Sequence, residues 1–336
     1  MSHSPNSQNH GRRGTVIILP LPGIGDLIWH LSHIHRIARA TPEGTVTILT
    51  KRRSHADRLL AADPSVLKVL WVDRGPGIHD GILGFFRLVN MLSKHRFAQA
   101  WVLHQSARYA LAAFMAGIPQ RIGYGRGLQR WLLNQPLQLP RTTLSGHPID
   151  MADSLLTLHR LPKRDGDTHL PLTPAATAEV ARKFGGLPKP WIAIGVGSSE
   201  QYKQWGEQRF SELVLALRKP ERRTLFVVGG PAEEHMARSI ASQAGGADVV
   251  TVTDLSIDLT AALIADCAIY IGNDTGALNL AAALAVPAIG LFGGSRPLHH
   301  SPHIRGVQPE SANGGMGAID VPMVLSAVRD LGVLEQ

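Results

Sequence analysis

The sequence predicts an α/β protein of two doubly wound, Rossmann-like domains, and three observations predict it. At 336 residues the chain is long for one hydrophobic core and sufficient for two. Short β-branched apolar runs alternate with stretches of helical period from Thr15 onward, the pattern of parallel sheets covered on both faces. The alternation breaks over Pro162 to Pro174, which is polar, punctuated by prolines and without period, as suits an interdomain crossover.

The first series opens with Thr15 to Leu21 as a strand. A break at Pro22-Gly23-Ile24-Gly25-Asp26 follows, and then apolar residues at helical spacing from Leu27 to Ala38. Strands are expected at Thr45 to Leu49, Val66 to Val72 and Ala100 to Leu103, with helices at Ser54 to Ala62, Ile82 to Leu92 and Ala107 to Ala116. The second series has strands at Trp191 to Val196, Thr224 to Val228, Asp248 to Val252, Ala268 to Ile271 and Ala288 to Phe292. Its helices are expected near Gly206 to Leu217, Ala232 to Gln243, Leu259 to Ile264 and Ala277 to Leu284. The resulting division is a disordered tail over 1–14, a domain over 15–165, a second over 166–318, and a C-terminal helix over 319–336 for which packing back on the first domain is one option.

Composition narrows the function classes. Apolar residues make up 44% and charged residues 18%, ordinary for a globular protein. The start of the chain lacks the apolar core of a signal peptide, and no stretch reaches the roughly 18 apolar residues of a spanning helix. The single Cys267 excludes an internal disulfide and reads as buried. These features point to the cytoplasm. Residues 1–165 carry 21 Lys/Arg against 9 Asp/Glu, whereas 166–336 carry 13 against 17. The basic first half suggests an anionic partner there and leaves peripheral contact with a membrane surface open; a solvated basic surface is the alternative.

In open α/β sheets ligands sit beyond the carboxyl ends of strands, which singles out the loops after Leu21, Val196, Val228, Ile271 and Phe292. Gly23 and Gly25 allow a ligand to approach the first loop closely. Asp26 there is either a general base, if partly desolvated, or only a helix cap. Gly195-Val196-Gly197-Ser198-Ser199 with Lys203 supplies small residues, two hydroxyls and an amine for phosphate; it also reads as an ordinary turn beside a lysine. Val227 to Glu234 ends in carboxylates suited to ribose hydroxyls or to helix-terminus charge compensation. Ile271-Gly272-Asn273-Asp274-Thr275-Gly276-Ala277 meets an alanine-rich helix, whose free N–H groups make an anion site for a diphosphate. Asp274 would repel phosphate and better accepts sugar hydroxyls; the alternative is that Asn273, Asp274 or Thr275 is an unoccupied helix cap. The sequence lacks a dinucleotide fingerprint, a Walker A loop, a G-x-S-x-G elbow and H-E-x-x-H spacing, and the His299-His300 pair has no carboxylate partner in sequence. No metal is expected.

Taken in order, GIGD, GSSEQYKQW, GGPAE and NDTGALNLAAALAVPAIGLFGGSRP resemble glycosyltransferase family 9, the lipopolysaccharide heptosyltransferases, and HQSARYALAAFMAGIPQRIGYGRG is similar to its acceptor-domain segment. The resemblance spans roughly residues 15–300. It implies the GT-B fold with the active site in the cleft between an N-terminal acceptor domain and a C-terminal nucleotide-sugar domain, and an inverting transfer without metal or cofactor. On that resemblance Asp26 matches the catalytic base, and Ser198, Ser199 and Lys203 match the phosphate loop. Glu233 matches the ribose carboxylate, and Asp274, Thr275, Gly276 and Ala277 match the donor-binding helix start, with Lys203 also assisting departure of the diphosphate. The implied substrates are a nucleotide-diphosphate sugar, ADP-heptose first, and an anionic glycolipid of the lipopolysaccharide core; nucleic acid is not a partner. Asn279 stands where the family usually has His, and Gly206 where it has Pro. A nucleotide-sugar epimerase of the same fold and a non-catalytic nucleotide-sugar-binding relative are the competing readings.

Overall fold

The structure is a computed structural model that describes residues 11–334 apart from Pro22, 135–138, Arg141, 144–145, Ser199, 219–222, Arg296, 298–300 and 312–313. The chain divides into two compact units, Met1–Thr168 and His169–Gln336. No helix among the described residues is long and apolar enough to cross a membrane.

The first unit runs β1 (Thr15–Ile18), α1 (Ile24–Trp29), α2 (Leu31–Ala40), β2 (Val46–Thr50), α3 (Ala56–Leu59), β3 (Val66–Trp71), α4 (Gly81–His95), β4 (Gln99–Val102), α5 (Ala107–Met115), β5 (Gln120–Gly123), α6 (Gln129–Leu132) and α7 (Pro148–Leu158). Its five strands pair in parallel in the order β3-β2-β1-β4-β5. Every residue of β1 and β2 is buried, because helices cover both faces of such a sheet. Val16, Ile18, Leu49 and Val102 form one core with Leu88 and Leu92 of α4 and Ala112 and Ala113 of α5. Each large aliphatic side chain sealed there contributes about 1.5–3 kcal/mol.

The second unit runs α8 (Pro174–Phe184), β6 (Trp191–Gly195), α9 (Glu207–Leu217), β7 (Thr224–Val228), α10 (Glu234–Ala244), β8 (Val249–Val252), α11 (Ile257–Ala265), β9 (Ile269–Asn273), α12 (Gly276–Ala283), β10 (Ala288–Leu291), β11 (Ile304–Val307) and α13 (Val321–Leu331). Its strands are parallel in the order β11-β10-β9-β6-β7-β8. In each sheet the first strand has later strands on both sides. The order therefore reverses between β1 and β4 and between β6 and β9, the crevices where α/β proteins bind ligands.

Several elements differ from the sequence reading. The helix expected from Leu27 to Ala38 is two, broken at His30 (φ −97°, ψ 3°), whose N–H bonds to Leu27 O at 3.0 Å, a tightened 3₁₀-type closure. The short β5 and the edge strand β11 carry arginine and glycine in four residues each, too little apolar alternation to stand out. Helices α6, α7 and α8 were also not foreseen, although Pro148 and Pro174 each occupy the first turn of a helix, where proline is favoured. Of the tail expected over 1–14, residues 1–10 lie outside the described residues, and residues 12–14 are bonded to the first unit. Arg13 N–H bonds to Arg96 O at 3.1 Å, Gly14 O accepts from Ala98 N–H at 3.0 Å, and the Arg12 guanidinium donates to Ala116 O. The C-terminal helix, given the option of packing on the first domain, places Val321, Val324, Ala327 and Val328 in the core of the second unit. Cys267 is buried as expected, its thiol donating to Leu263 O.

Candidate active site

In the first unit, Gly23 is the N-cap of α1 and Asp26 lies in the helix's first turn. The backbone N–H groups of Gly23 and of Asp26 itself favour the ionised carboxylate, although α1 has no side-chain capping bond at its N-cap. Burial raises the Asp26 pKa above its ordinary value, outweighing those two N–H groups and the nearby His147. A half-buried carboxylate so perturbed is also a better proton acceptor near neutral pH.

Behind the loop, His30 donates from Nδ1 to Asp26 O at 2.9 Å. Burial, and then the neighbouring His33, push its pKa down to about 3, so the ring is neutral. His33 Nε2 donates to Asp153 Oδ1 at 3.2 Å, and Arg36 pairs with the same carboxylate while its Nε donates to Leu161 O at 2.8 Å. Burial works against ionised Asp153, but His33 and Arg36 prevail and hold its pKa down at about 2. These bonds tie α2 to α7, and with them the floor under Asp26.

At the other side of the first crevice stands His104, just beyond β4. Its pKa falls to about 4 through burial and then through the charges of Lys51 and Arg74, which follow β2 and β3. Arg52 is held by Asp73 at 2.9 Å and Arg74 by Asp80 at 3.2 Å. Two of the cations at the carboxyl end of this sheet are thus offset by carboxylates, and Lys51 and Arg108 add to them. The uneven charge of the chain was legible in sequence, but Lys51, Arg74 and His104 were not singled out; the signal was their position directly after strands.

In the second unit, the loops after β6, β7, β9 and β10 converge. Buried Asn273 is the staple: its Nδ2 donates to Gly197 O at 3.0 Å and Gln204 Oε1 at 3.1 Å, and its Oδ1 accepts from Trp205 N–H at 3.2 Å. The sequence reading saw Asn273 only as a cap. Close approach is enforced by Gly195, where a Cβ would lie 1.8 Å from Tyr270 Oη.

Lys203 Nζ lies 3.0 Å from Asp274 Oδ2, which also accepts from Ser295 Oγ at 2.6 Å. Burial alone would lower the Lys203 pKa, but Asp274 reverses the sign and raises it, so the amine stays charged. Thr275 is the N-cap of α12 and makes no capping bond with its side chain. The first helical bond there runs from Asn279 N–H to Thr275 O, so the N–H groups of Gly276 and Ala277 precede the helical ladder. Residues 274–277 are half-exposed. Positive helix-end character, accessible amides and a lysine are what a diphosphate needs.

Other expected donor contacts are differently arranged. Ser198 Oγ donates to Glu200 O at 2.7 Å, so its hydroxyl is already spent on its own turn. Ser199 lies outside the described residues, as do His299 and His300. Glu233 Oε2 accepts from Gly230 N–H at 2.8 Å, and a Cβ on Gly197 would lie 3.8 Å from its carboxyl carbon, which brings the β6 and β7 loops together. Asn279 is buried and donates to Thr275 O at 3.1 Å; it supports the helix start from within. Gly206 has φ 104°, a conformation closed to proline, so the start of α9 follows a path the family's usual residue would not permit.

Comparison with known proteins identifies the family and the fold. The family model for glycosyltransferase family 9 (heptosyltransferase) matches residues 85–308, about two thirds of the chain. Lipopolysaccharide heptosyltransferase 2 of Escherichia coli is 24% identical over 301 residues, covering 84% of this chain and 83% of that protein. A family 9 glycosyl transferase from Veillonella parvula superposes with a TM-score of 0.80 at 20% identity, covering 97% and 98% of the two chains. An E. coli heptosyltransferase solved with ADP-2-deoxy-2-fluoro heptose gives 0.73 at 16% identity, covering 95% and 99%. Both superpositions share the two-sheet GT-B-type architecture. With its fold, its ordered loops and its family match in accord, the chain belongs to glycosyltransferase family 9 and is a glycosyltransferase.

Proposed function

We propose that the protein transfers a heptose from ADP-heptose to a hydroxyl of an anionic lipopolysaccharide-core glycolipid, with inversion and without a metal. The observation that carries the donor half is the meeting of Lys203, Asp274 and the open start of α12 at the order reversal between β6 and β9. The heptosyltransferase solved with an ADP-heptose analogue supports the choice of nucleotide. Asp26 takes the proton of the acceptor hydroxyl, whose oxygen bonds to the anomeric carbon as the bond from that carbon to the diphosphate breaks. ADP leaves with its new charge met by Lys203 and the N–H groups of Gly276 and Ala277. Glu233 Oε1, which makes no hydrogen bond among the described residues, faces the ribose hydroxyls in this reading.

The cationic end of the first sheet, Lys51 and Arg74 beside His104, supports an anionic acceptor. A lipid-linked acceptor sets the enzyme at the cytoplasmic face of a membrane, in peripheral contact. Thermal shift with ADP, UDP and GDP tests the donor, since a ligand of the folded state raises the apparent Tm: ADP should raise it most, and a preference for UDP or GDP overturns the assignment. Mass spectrometry of ADP-heptose reactions with and without a delipidated core acceptor should show product only with acceptor. Conversion of the donor alone would favour the epimerase reading, and donor binding without turnover the non-catalytic one.

A further inference from the structure

Of the thirteen large apolar side chains exposed among the described residues, nine lie between Ile78 and Trp131. On α4, Ile82 and Leu83 are 77% and 75% exposed and Phe86 is 50% exposed, while later outward positions of the same helix are Asn90 and Lys94. The apolar half is thus the helix start, at the carboxyl end of the sheet, where the cationic groups also gather. Helix α5 exposes Phe114 and Met115 at its far end, toward the start of β5, and on α6 Trp131 is 73% exposed.

The three helices adjoin. Arg108 at the start of α5 donates to His79 O and Gly81 O at the start of α4 and lies over the Phe85 ring at 5.0 Å. Arg121 lies over the Phe114 ring at 5.2 Å and donates to Leu132 O at the end of α6 at 2.7 Å. Exposed apolar groups on this scale mark an interaction surface.

Charge selects the partner. From residue 81 to residue 149 the sequence contains eight Lys/Arg and no Asp or Glu, leaving 26 basic and 26 acidic residues elsewhere. This stretch, which contains all of α4, α5 and α6, therefore accounts for the whole net charge of +8. Arg87 donates to Ile78 O at 3.2 Å beside the apolar start of α4, and Arg130 lies over the Trp131 ring at 4.8 Å. Apolar side chains and an aromatic set among arginines, with no carboxylate from residue 81 to residue 149, match the headgroup zone of an anionic bilayer. A protein partner would commonly bring paired charges, and the carboxylate at the border of this face, Asp80 at the N-cap of α4, is already paired with Arg74.

We infer that the α4–α6 face of the first unit docks on anionic phospholipid bilayers. It gives a surface to the peripheral contact proposed above and rests on that reading only for the presence of a lipid-linked acceptor. The docked surface includes the carboxyl end of the first sheet, so the cationic crevice opens at the level where such an acceptor's sugars emerge.

Vesicle flotation of the full-length protein tests this without any sugar substrate. Vesicles of phosphatidylcholine mixed with phosphatidylglycerol should carry the protein at least about tenfold better than phosphatidylcholine alone, and less well as salt rises. The triple variant Ile82→Ser, Leu83→Ser, Trp131→Ser should lose at least about tenfold of that binding. Arg87→Ser and Arg130→Ser should each lose about fivefold. All should keep the thermal shift given by ADP, whose proposed site is in the other unit. Wild-type protein that does not float, or variants that float equally, would overturn the inference. So would a wild-type dimer that the triple variant converts to monomer without vesicle binding in either form, which would make the face a protein interface. ADP binding stands or falls separately, so loss of one reading does not remove the other.

Discussion

Lys203 Nζ and Asp274 Oδ2 are 3.0 Å apart, with their side chains only 20% and 18% exposed. The two residues were assigned to opposite chemistries, phosphate and sugar hydroxyl, and the fold pairs them. A donor diphosphate therefore shares its lysine with a carboxylate that repels it, and Asp274 is tolerable only if the sugar repays the repulsion. Lys203→Met should weaken ADP binding by about tenfold to a hundredfold, the worth of a charge-assisted hydrogen bond. Asp274→Asn should leave ADP binding equal or tighter while kcat/KM for transfer drops at least about tenfold. Calorimetric titration with ADP and steady-state kinetics separate the two; equal loss of ADP affinity in both variants would reduce Asp274 to a scaffold of the phosphate site.

The perturbation of Asp26 has a sign that can be checked twice. With its folded pKa raised by burial, the acid limb of kcat/KM should lie above the usual carboxylate value of about 3.9, and Asp26→Asn should abolish turnover. The same shift means that the folded state favours the protonated form. The stability it contributes is present below the unfolded pKa and is lost as pH rises through the folded one. Asp26→Asn should therefore unfold at neutral pH at the same urea concentration as wild type or a higher one. A clearly less stable variant would make capping, rather than base chemistry, the dominant duty.

Arg36 is 3% exposed and depends on Asp153, which is 44% exposed. Asp153→Asn should cost about 1–2 kcal/mol at pH 7, below the full penalty for stranding a buried charge because water reaches the carboxylate. The folded pKa of Asp153 is depressed to about 2, so its contribution is complete above the unfolded value of about 3.9. It fades as pH falls through the folded one. Urea unfolding of both proteins at neutral pH and near pH 3 should show the gap narrowing in acid; a constant gap would point to lost packing instead.

At Gly206 the backbone angle orders two substitutions. Alanine at φ 104°, ψ 148° is strained by roughly 1–3 kcal/mol. Proline, fixed near −65° and without the N–H that bonds Gln204 Oε1, should cost about 3 kcal/mol or more. Thermal unfolding of Gly206→Ala and Gly206→Pro tests the order. If the proline variant matched wild type, the start of α9 would be able to take the family's usual path.

Much of the fold was readable along the chain because burial on both sheet faces forces continuous apolar runs, as in β1, β2, β6 and β7. The loops after β1, β6 and β9 are short and flanked by glycine, so Asp26, Lys203 and Asp274 could be picked out by position. The short β5 and edge strand β11 escaped because a four-residue strand with arginine and glycine carries little period. Asn273 and His104 escaped for another reason: their roles depend on what other strands bring beside them.

What the sequence by itself determined is the class of the fold, the loops that hold the chemistry, the family and the basic character of the first half. These follow from local periodicity, residue type and order, which need no knowledge of neighbours in space. Only the tertiary structure decided that Lys203 meets Asp274, that Asn273 joins two loops, that Asp26 is desolvated over a His30–His33–Asp153 floor, and that three helices pool their exposed apolar residues. Each is a relation between segments far apart in the chain. The parallel crossover that separates neighbouring strands in sequence also creates the juxtaposition, and the burial that shifts a pKa exists only once those segments have packed.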